Sequence, residues 1–400
     1  MTKEFGSIAS TSLARETNRR EFLEFGAALL AATTATGMGI KSVLAAGNGG
    51  FGAGKVVFNS AAHHVHDEAG TPVPGLQADG TTLWRVQVAQ MDMENKLDAQ
   101  GFYPREITIN PGDSIWFDGQ MPGFHSVTFP EVGAEPYPVL IPDPDAGTPA
   151  EGAPPAMILN PQLAFPSSGT TFDGTALVNS GIDVLRDVDA GPFIATFTAP
   201  GTFGYFCVPH QIVMNATVIV QEAGSELPYD QEEYDTLAAE QIAQVFEEAK
   251  AEKDKYAEAA PGEAGSGVDW IVSAGAGEGQ GRVMAFLPEE LTIKAGQTVR
   301  WVVRSVGEPH TVTFLGGGDG QGADFNMVPV ENGPPKLVPN PAVWGPVGGN
   351  VYNGEGYLNS GVFDKTFNTD TFDLKFDTPG SYDYICVLHP MMVAKVIVEE

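Results

Sequence analysis

Twice in this chain a cysteine is followed at short range by a histidine and a methionine, in a tight loop between strand-like runs. The stretches are Gly201-Thr-Phe-Gly-Tyr-Phe-Cys207-Val-Pro-His210-Gln-Ile-Val-Met214 and Gly380-Ser-Tyr-Asp-Tyr-Ile-Cys386-Val-Leu-His389-Pro-Met-Met392. Thiolate, imidazole and thioether converging on one point make a soft-metal donor set. Each loop has an upstream histidine to join it: Phe124-His125-Ser-Val-Thr-Phe129 and Pro309-His310-Thr-Val-Thr-Phe314 open alternating, strand-like runs. Any fold for this chain must bring these distant stretches together twice.

Two imidazoles and a thiolate in a trigonal arrangement, with a weak axial thioether, describe an electron-transfer copper centre. The first set is then His125, Cys207 and His210 with Met214 as axial donor, and the second His310, Cys386 and His389 with Met392. A methionine at position 214 also suits an ordinary core, and Met391 competes with Met392. Cys207 and Cys386 are the chain's two cysteines. A disulfide between them would require both loops to meet and would consume both thiolates, so two free thiols are expected.

These stretches resemble the cupredoxins, the small blue-copper proteins. The Cys386-x-x-His389-x-x-Met392 spacing, with Pro390 after the histidine, is similar to the short ligand loop of the amicyanins, and the chain also resembles the archaeal halocyanins. The first loop opens with the same Cys207-x-x-His210 but has an azurin-like interval from His210 to Met214. The resemblance implies an all-β fold: two tandem Greek-key cupredoxin β-sandwiches with long loop insertions and a connecting helix. It also implies two type 1 copper ions, reversible one-electron transfer and redox protein partners. In that family the edge of the carboxyl-side histidine is the usual electron port. Pro209, Ile212 and Val213, and Leu388, Pro390 and Met391, are expected to surround that edge with apolar surface.

Asp and Glu number 51 against 21 Lys and Arg, a net charge of -30, which repels nucleic acid and anionic membrane. Such a surface is similar to those of proteins from very salty environments; the alternative use is steering a basic partner, which salt would screen. Near the amino end, Arg19-Arg20 precedes a mildly apolar run from Phe25, and Val43-Leu-Ala45 offers small residues for cleavage. This resembles a twin-arginine export signal over residues 1–45. The run is too polar for a permanent membrane helix, no cysteine near its end offers a lipid anchor, and no second span follows. The expected location is outside the cell or on the outer face of the cytoplasmic membrane.

An extension, 46–80, carries His63, His64 and His66. On an extended strand His64 and His66 share a face and His63 points away. A first sandwich is expected over 81–221, an acidic helical linker over 222–266 and a second sandwich over 267–400. In the first, Thr82–Val88, Pro104–Ile109, Ser114–Phe117, Phe193–Phe197, Gly201–Cys207 and Asn215–Val220 read as strands, and 130–192 as a Pro- and Gly-rich insertion. Asn160-Pro161 and Asn179-Ser-Gly181 recur as Asn340-Pro341 and Asn359-Ser-Gly361 at a nearly constant offset, the mark of a duplication. A helix is expected over Leu227–Tyr256, capped by Asp230 and Glu233 and stopped by Pro261-Gly262. Its stripe of Leu237, Ala238, Ile242, Val245, Phe246 and Ala249 should pack on one or both sandwiches.

Two other functions compete with electron transfer. One is a copper nitrite reductase or another multicopper oxidoreductase using His63, His64 and His66. The other is an exported structural protein stabilised by copper.

Overall fold

The computed structural model describes residues 71–119, 124–149, 155–167, 169–183, 191–318, 323–331, 333–367 and 369–400. The expected export signal and the His63, His64 and His66 cluster lie outside the described residues. Among the described residues the architecture is all-β, with two sandwiches that share one sheet. A 12-stranded sheet runs from the second half of the chain into the first. Its centre is the antiparallel pair Gly281–Leu287 and Leu97–Tyr103, with Arg282 opposite Asp98 and Gly281 opposite Ala99. A 5-stranded sheet closes each sandwich, with Gly201–Phe206 and Gly380–Ile385, the strands that lead into the Cys loops, at corresponding places.

Alternation builds the outer strands: Glu290–Lys294 and Val393–Glu399 bury every second side chain. Aromatic side chains from the 5-stranded and the shared sheets fill each core. In the first core Tyr205 stacks on Phe129 at 4.7 Å and Phe117 lies at 5.5 Å. In the second, Tyr384 lies 5.2 Å from Phe314 and 5.4 Å from Trp301. Each such side chain taken from water contributes about 1.5–3 kcal/mol. The tyrosines leading to the loops therefore serve sheet packing.

The seam strands Leu97–Tyr103 and Gly281–Leu287 are buried along their whole length. The long helix covers them. It spans Gln231–Lys255, with Asp230 and Glu233 forming a reciprocal capping box. Ala238, Val245 and Ala249 are buried, and the helix packs against both seam strands. Gly281 permits this approach, since a Cβ there would lie 2.6 Å from the Val245 carbonyl oxygen. The helix ends at Lys255 with Tyr256 as its C-cap, as expected, and begins later than Leu227; beyond it Ala260–Pro261 pairs with the strand Trp270–Ala276.

The insertions carry more structure than a decorating loop. Each includes a short hairpin and one helical turn, Pro161–Ala164 and Pro341–Trp344, capped by Asn160 and Asn340. Asn179 closes the first by aiming its amide at the carbonyls of Gln162, Leu163 and Phe165, while its Oδ1 accepts from Thr128. Asn359 does the same with Ala342, Val343, Gly345 and Thr313. The repeated Asn-Pro and Asn-Ser-Gly motifs are thus the locks of the insertions. The two insertions also meet, through Leu159 and Leu337 and through Lys336, which is 2.5 Å from Asp143 and 2.6 Å from Asp145.

Candidate metal centres

Each site joins a loop between two strands to the start of a third. His125 and Cys207 come within 3.9 Å, Nδ1 to Sγ, and His210 Nδ1 lies 3.5 Å from the same sulfur. In the second site His310 Nδ1 is 3.9 Å and His389 Nδ1 3.6 Å from Cys386 Sγ, with 3.2 Å between the two ring nitrogens. Within each group the donor atoms all lie within 4.8 Å of one another. Donors held at roughly 2.0–2.3 Å around one trigonal ion stand roughly 3.4–3.8 Å apart, so the spacing fits a single ion per group.

The methionines are tied to the sites by their backbones. Cys207 N–H donates to the Met214 carbonyl at 2.9 Å and Cys386 N–H to that of Met392 at 3.0 Å, so each loop returns on its own cysteine. Met214 and Met392 are fully buried, whereas Met391 only packs against the second core from its margin. Both cysteines are free. Each sulfur also accepts a backbone N–H at 3.3 Å, from Ser126 in one site and Thr311 in the other. The side-chain oxygens of those residues accept from Val208 and Val387 at 2.8 Å, which fixes the loops to the histidine strands.

A bulge shapes the wall beside His310. The strand Trp270–Ala276 shifts register between Ala274 and Ala276, and Gly275 there has φ of 69°. A Cβ at Gly275 would lie 2.3 Å from His310 Nε2, so the glycine makes room for the ring.

Of the carboxyl-side histidines, His210 lacks the expected solvent-facing edge, whereas the His389 side chain keeps 17% of its surface exposed. His210 is 6% exposed, and Nε2 of His210 and of His389 both face Glu308, at 3.7 Å and 2.9 Å. Ile212, expected beside the port, is 46% exposed and also lies against Gly307 of the loop that carries Glu308. The reason is the seam: its strand pairing turns the ligand ends of the sandwiches toward each other. Glu308 is 1% exposed, receives Gln100 Nε2 at 2.5 Å, and has the buried Arg282 close by, which donates from Nε to Gln100 at 3.2 Å. Sequence reading missed Glu308. The available signal was an asymmetry: Glu308-Pro309-His310 stands where the first copy has Gly123-Phe124-His125.

Burial would raise the Glu308 carboxyl, but the charge of His210, the hydrogen bond from His389 and the charge of Arg282 hold it well below the usual carboxylate range. Burial would lower His389; its bonds to Cys386 and Glu308 outweigh that and raise it to about 10. Burial also pushes the Cys386 thiol up, yet His310 and His389 hold it well below the ordinary value. His210 has a longer contact to Glu308 and burial lowers it, and burial drives Cys207 up to about 12 against the backbone hydrogen bond from Ser126. Burial lowers His125 to about 3, leaving a neutral donor. Thiolate and neutral Nδ1 are the forms that bind a metal, so loading either site expels protons.

A family model described as copper binding proteins, plastocyanin/azurin family, matches residues 272–399. Amicyanin of Paracoccus versutus is 34% identical over 116 residues, which are 29% of this chain and 59% of that protein, so the chain spans less than two thirds of this relative. Plastocyanin of Scenedesmus fuscus is 30% identical over 121 residues, 30% of this chain and 88% of that protein. The crystal structure of amicyanin from Paracoccus versutus is similar over 36% of this chain and 90% of its own, at 27% identity and a TM-score of 0.21. With two His, Cys and His groups and a plastocyanin matched over 88% of its length, the chain belongs to the plastocyanin/azurin family of copper-binding proteins, the cupredoxins.

Proposed function

We propose that this chain is an exported electron carrier made of two tandem cupredoxin domains, each with one type 1 copper site. His125, Cys207 and His210, with Met214 as axial donor, hold one ion; His310, Cys386 and His389, with Met392, hold the other. The observation that carries the reading is the doubled convergence of two Nδ1 atoms on one buried sulfur that also accepts a backbone N–H. Bound there, copper supplies a one-electron Cu(I)/Cu(II) couple. The chain's residues supply a rigid donor set, a dry surround and one hydrogen bond to each sulfur, which limit rearrangement between oxidation states.

Redox proteins are the partners. The twin arginines and the acidic surface support export into a salty medium, and no helix among the described residues is long and apolar enough to cross a membrane. Metal analysis with visible and electron paramagnetic spectra of the purified protein tests the proposal. The expected result is two ions per chain, an intense sulfur-to-copper band and reversible one-electron reduction of each. Fully loaded protein without that band would overturn it.

A further inference from the structure

We propose that Glu308 joins the two centres into one electron-transfer unit, its carboxylate bridging the ligand imidazoles of His389 and His210. The inference rests on the copper reading above. In both sites Nδ1 is the nitrogen turned to the sulfur, so a ligating ring carries its proton on Nε2. Both Nε2 atoms face Glu308, one at each oxygen: His389 at Oε1, 2.9 Å away, and His210 at Oε2, 3.7 Å away. A carboxylate turns an oxygen to each ring, Oε1 accepting from His389 and Oε2, which accepts from Gln100, lying in charge contact with His210, whereas an amide in its place turns an N–H to one of them.

The bridge is built and not incidental. A carboxylate 1% exposed is costly to bury unless it is fully partnered, and here Gln100 comes from the first half while Arg282 stands behind it from the second. The chain carries this group once in two otherwise repeated motifs, where one copy has Glu308 and the other Gly123. A single carboxylate at the seam serves both sites.

The path from one ligand ring to the other is covalent except for the two contacts at the carboxylate. Along it one electron leaves one site and arrives at the other, so the first is oxidised by the electron that reduces the second, and no bond forms or breaks. The same contacts bury the His210 edge and leave the His389 side chain 17% exposed, so of the two rings an outside partner reaches only His389.

The test uses the full chain and Glu308→Gln. Copper content, the potential of each site in Cys207→Ser and Cys386→Ser backgrounds, and equilibration between sites after a sub-stoichiometric reducing pulse are measured. Wild-type protein should equilibrate at a first-order rate independent of protein concentration. E308Q, still holding two ions, should slow this at least tenfold and raise both potentials, because the anion that favours the oxidised ion is gone. Unchanged rate and potentials in two-copper E308Q, or a wild-type rate proportional to protein concentration, would overturn the proposal.

Should E308Q fail to fold, zinc-loaded wild-type protein gives an independent reading by nitrogen-15 magnetic resonance. Slowly exchanging Nε2 protons on His389 and His210 support the bridge, and exchange at the rate of open imidazole refutes it. Absence of a sulfur-to-copper band in loaded wild-type protein would instead sink the copper reading and the electron path, while the zinc form still reports on the bridge.

Discussion

Gln100 of the first half donates from Nε2 to Glu308 of the second at 2.5 Å, while its Oε1 accepts from Arg282 Nε at 3.2 Å. One amide thus orders an anion and a cation that burial would otherwise leave exposed to each other's absence. The seam is polar at its centre, and its stability depends on every member being present.

Arg282 is the member with most to lose. It is 0% exposed and donates also to the carbonyls of Gly277 and Val306. Arg282→Leu should destabilise the protein by about 3–5 kcal/mol, since the buried Glu308 and Asp98 both lose a cation whose charge acts on them. Denaturant unfolding of the metal-free chain measures this. A loss below about 1 kcal/mol would mean that the carboxylate is compensated by other groups.

Asp98 sets a pH dependence. Burial, followed by the charge of Glu308, raises its carboxyl from 3.8 to about 7. Between those values the folded chain keeps a proton that the unfolded chain has released, so this group's contribution falls as pH rises toward about 7 and is level above it. Asp98→Asn should therefore stabilise the protein by about 1–4 kcal/mol at pH near 8 and by little at pH near 4. Urea unfolding at the two pH values decides; destabilisation at the higher one would show a charged, well-paired Asp98.

The two sites should be separable by their sulfurs. Cys207→Ser and Cys386→Ser should each leave one copper ion and about half the visible band, since each thiolate serves one group. Metal analysis and absorbance of the reconstituted variants check this, and loss of both ions in either variant would contradict it.

Gly275 makes a more local prediction. An added methyl group meets His310 Nε2 at 2.3 Å on a backbone with φ of 69°. Gly275→Ala should displace the ring, weaken copper binding at the second site at least tenfold and leave the first site loaded. Copper titration followed in the visible band reads both.

The two core tyrosines should respond oppositely to loss of their hydroxyls. Tyr384 OH accepts from Trp301 Nε1 at 3.1 Å, whereas the Tyr205 hydroxyl is buried without a hydrogen-bond partner among the described residues. Tyr384→Phe should cost about 1–2 kcal/mol by stranding the indole N–H, and Tyr205→Phe should be neutral or stabilising by about 1 kcal/mol. Thermal unfolding of the two variants, compared side by side, tests the difference.

The residues of the two candidate metal groups were legible because they are encoded locally. Cys207 with His210, and Cys386 with His389, are neighbours in one loop, and the residues beside His125 and His310 alternate as a strand should. Asp230 and Glu233 announced the helix start for the same reason: a cap is satisfied within four residues. Even the lock residues Asn179 and Asn359 were visible as a repeat, although their work on the helical turns was not.

What only the tertiary structure decided is the seam. Leu97–Tyr103 and Gly281–Leu287 lie buried on both faces, so they lack alternation, and they hold Asp98, Gln100 and Arg282, residue types seldom buried without partners. Their polarity makes sense only once strands from the two halves pair and supply the missing partners. The same pairing turns the two histidine edges inward onto Glu308, a contact between residues far apart in the chain whose cause is packing and not spacing. The ligand loops were written in short-range order; their mutual arrangement follows from which buried edges had to meet.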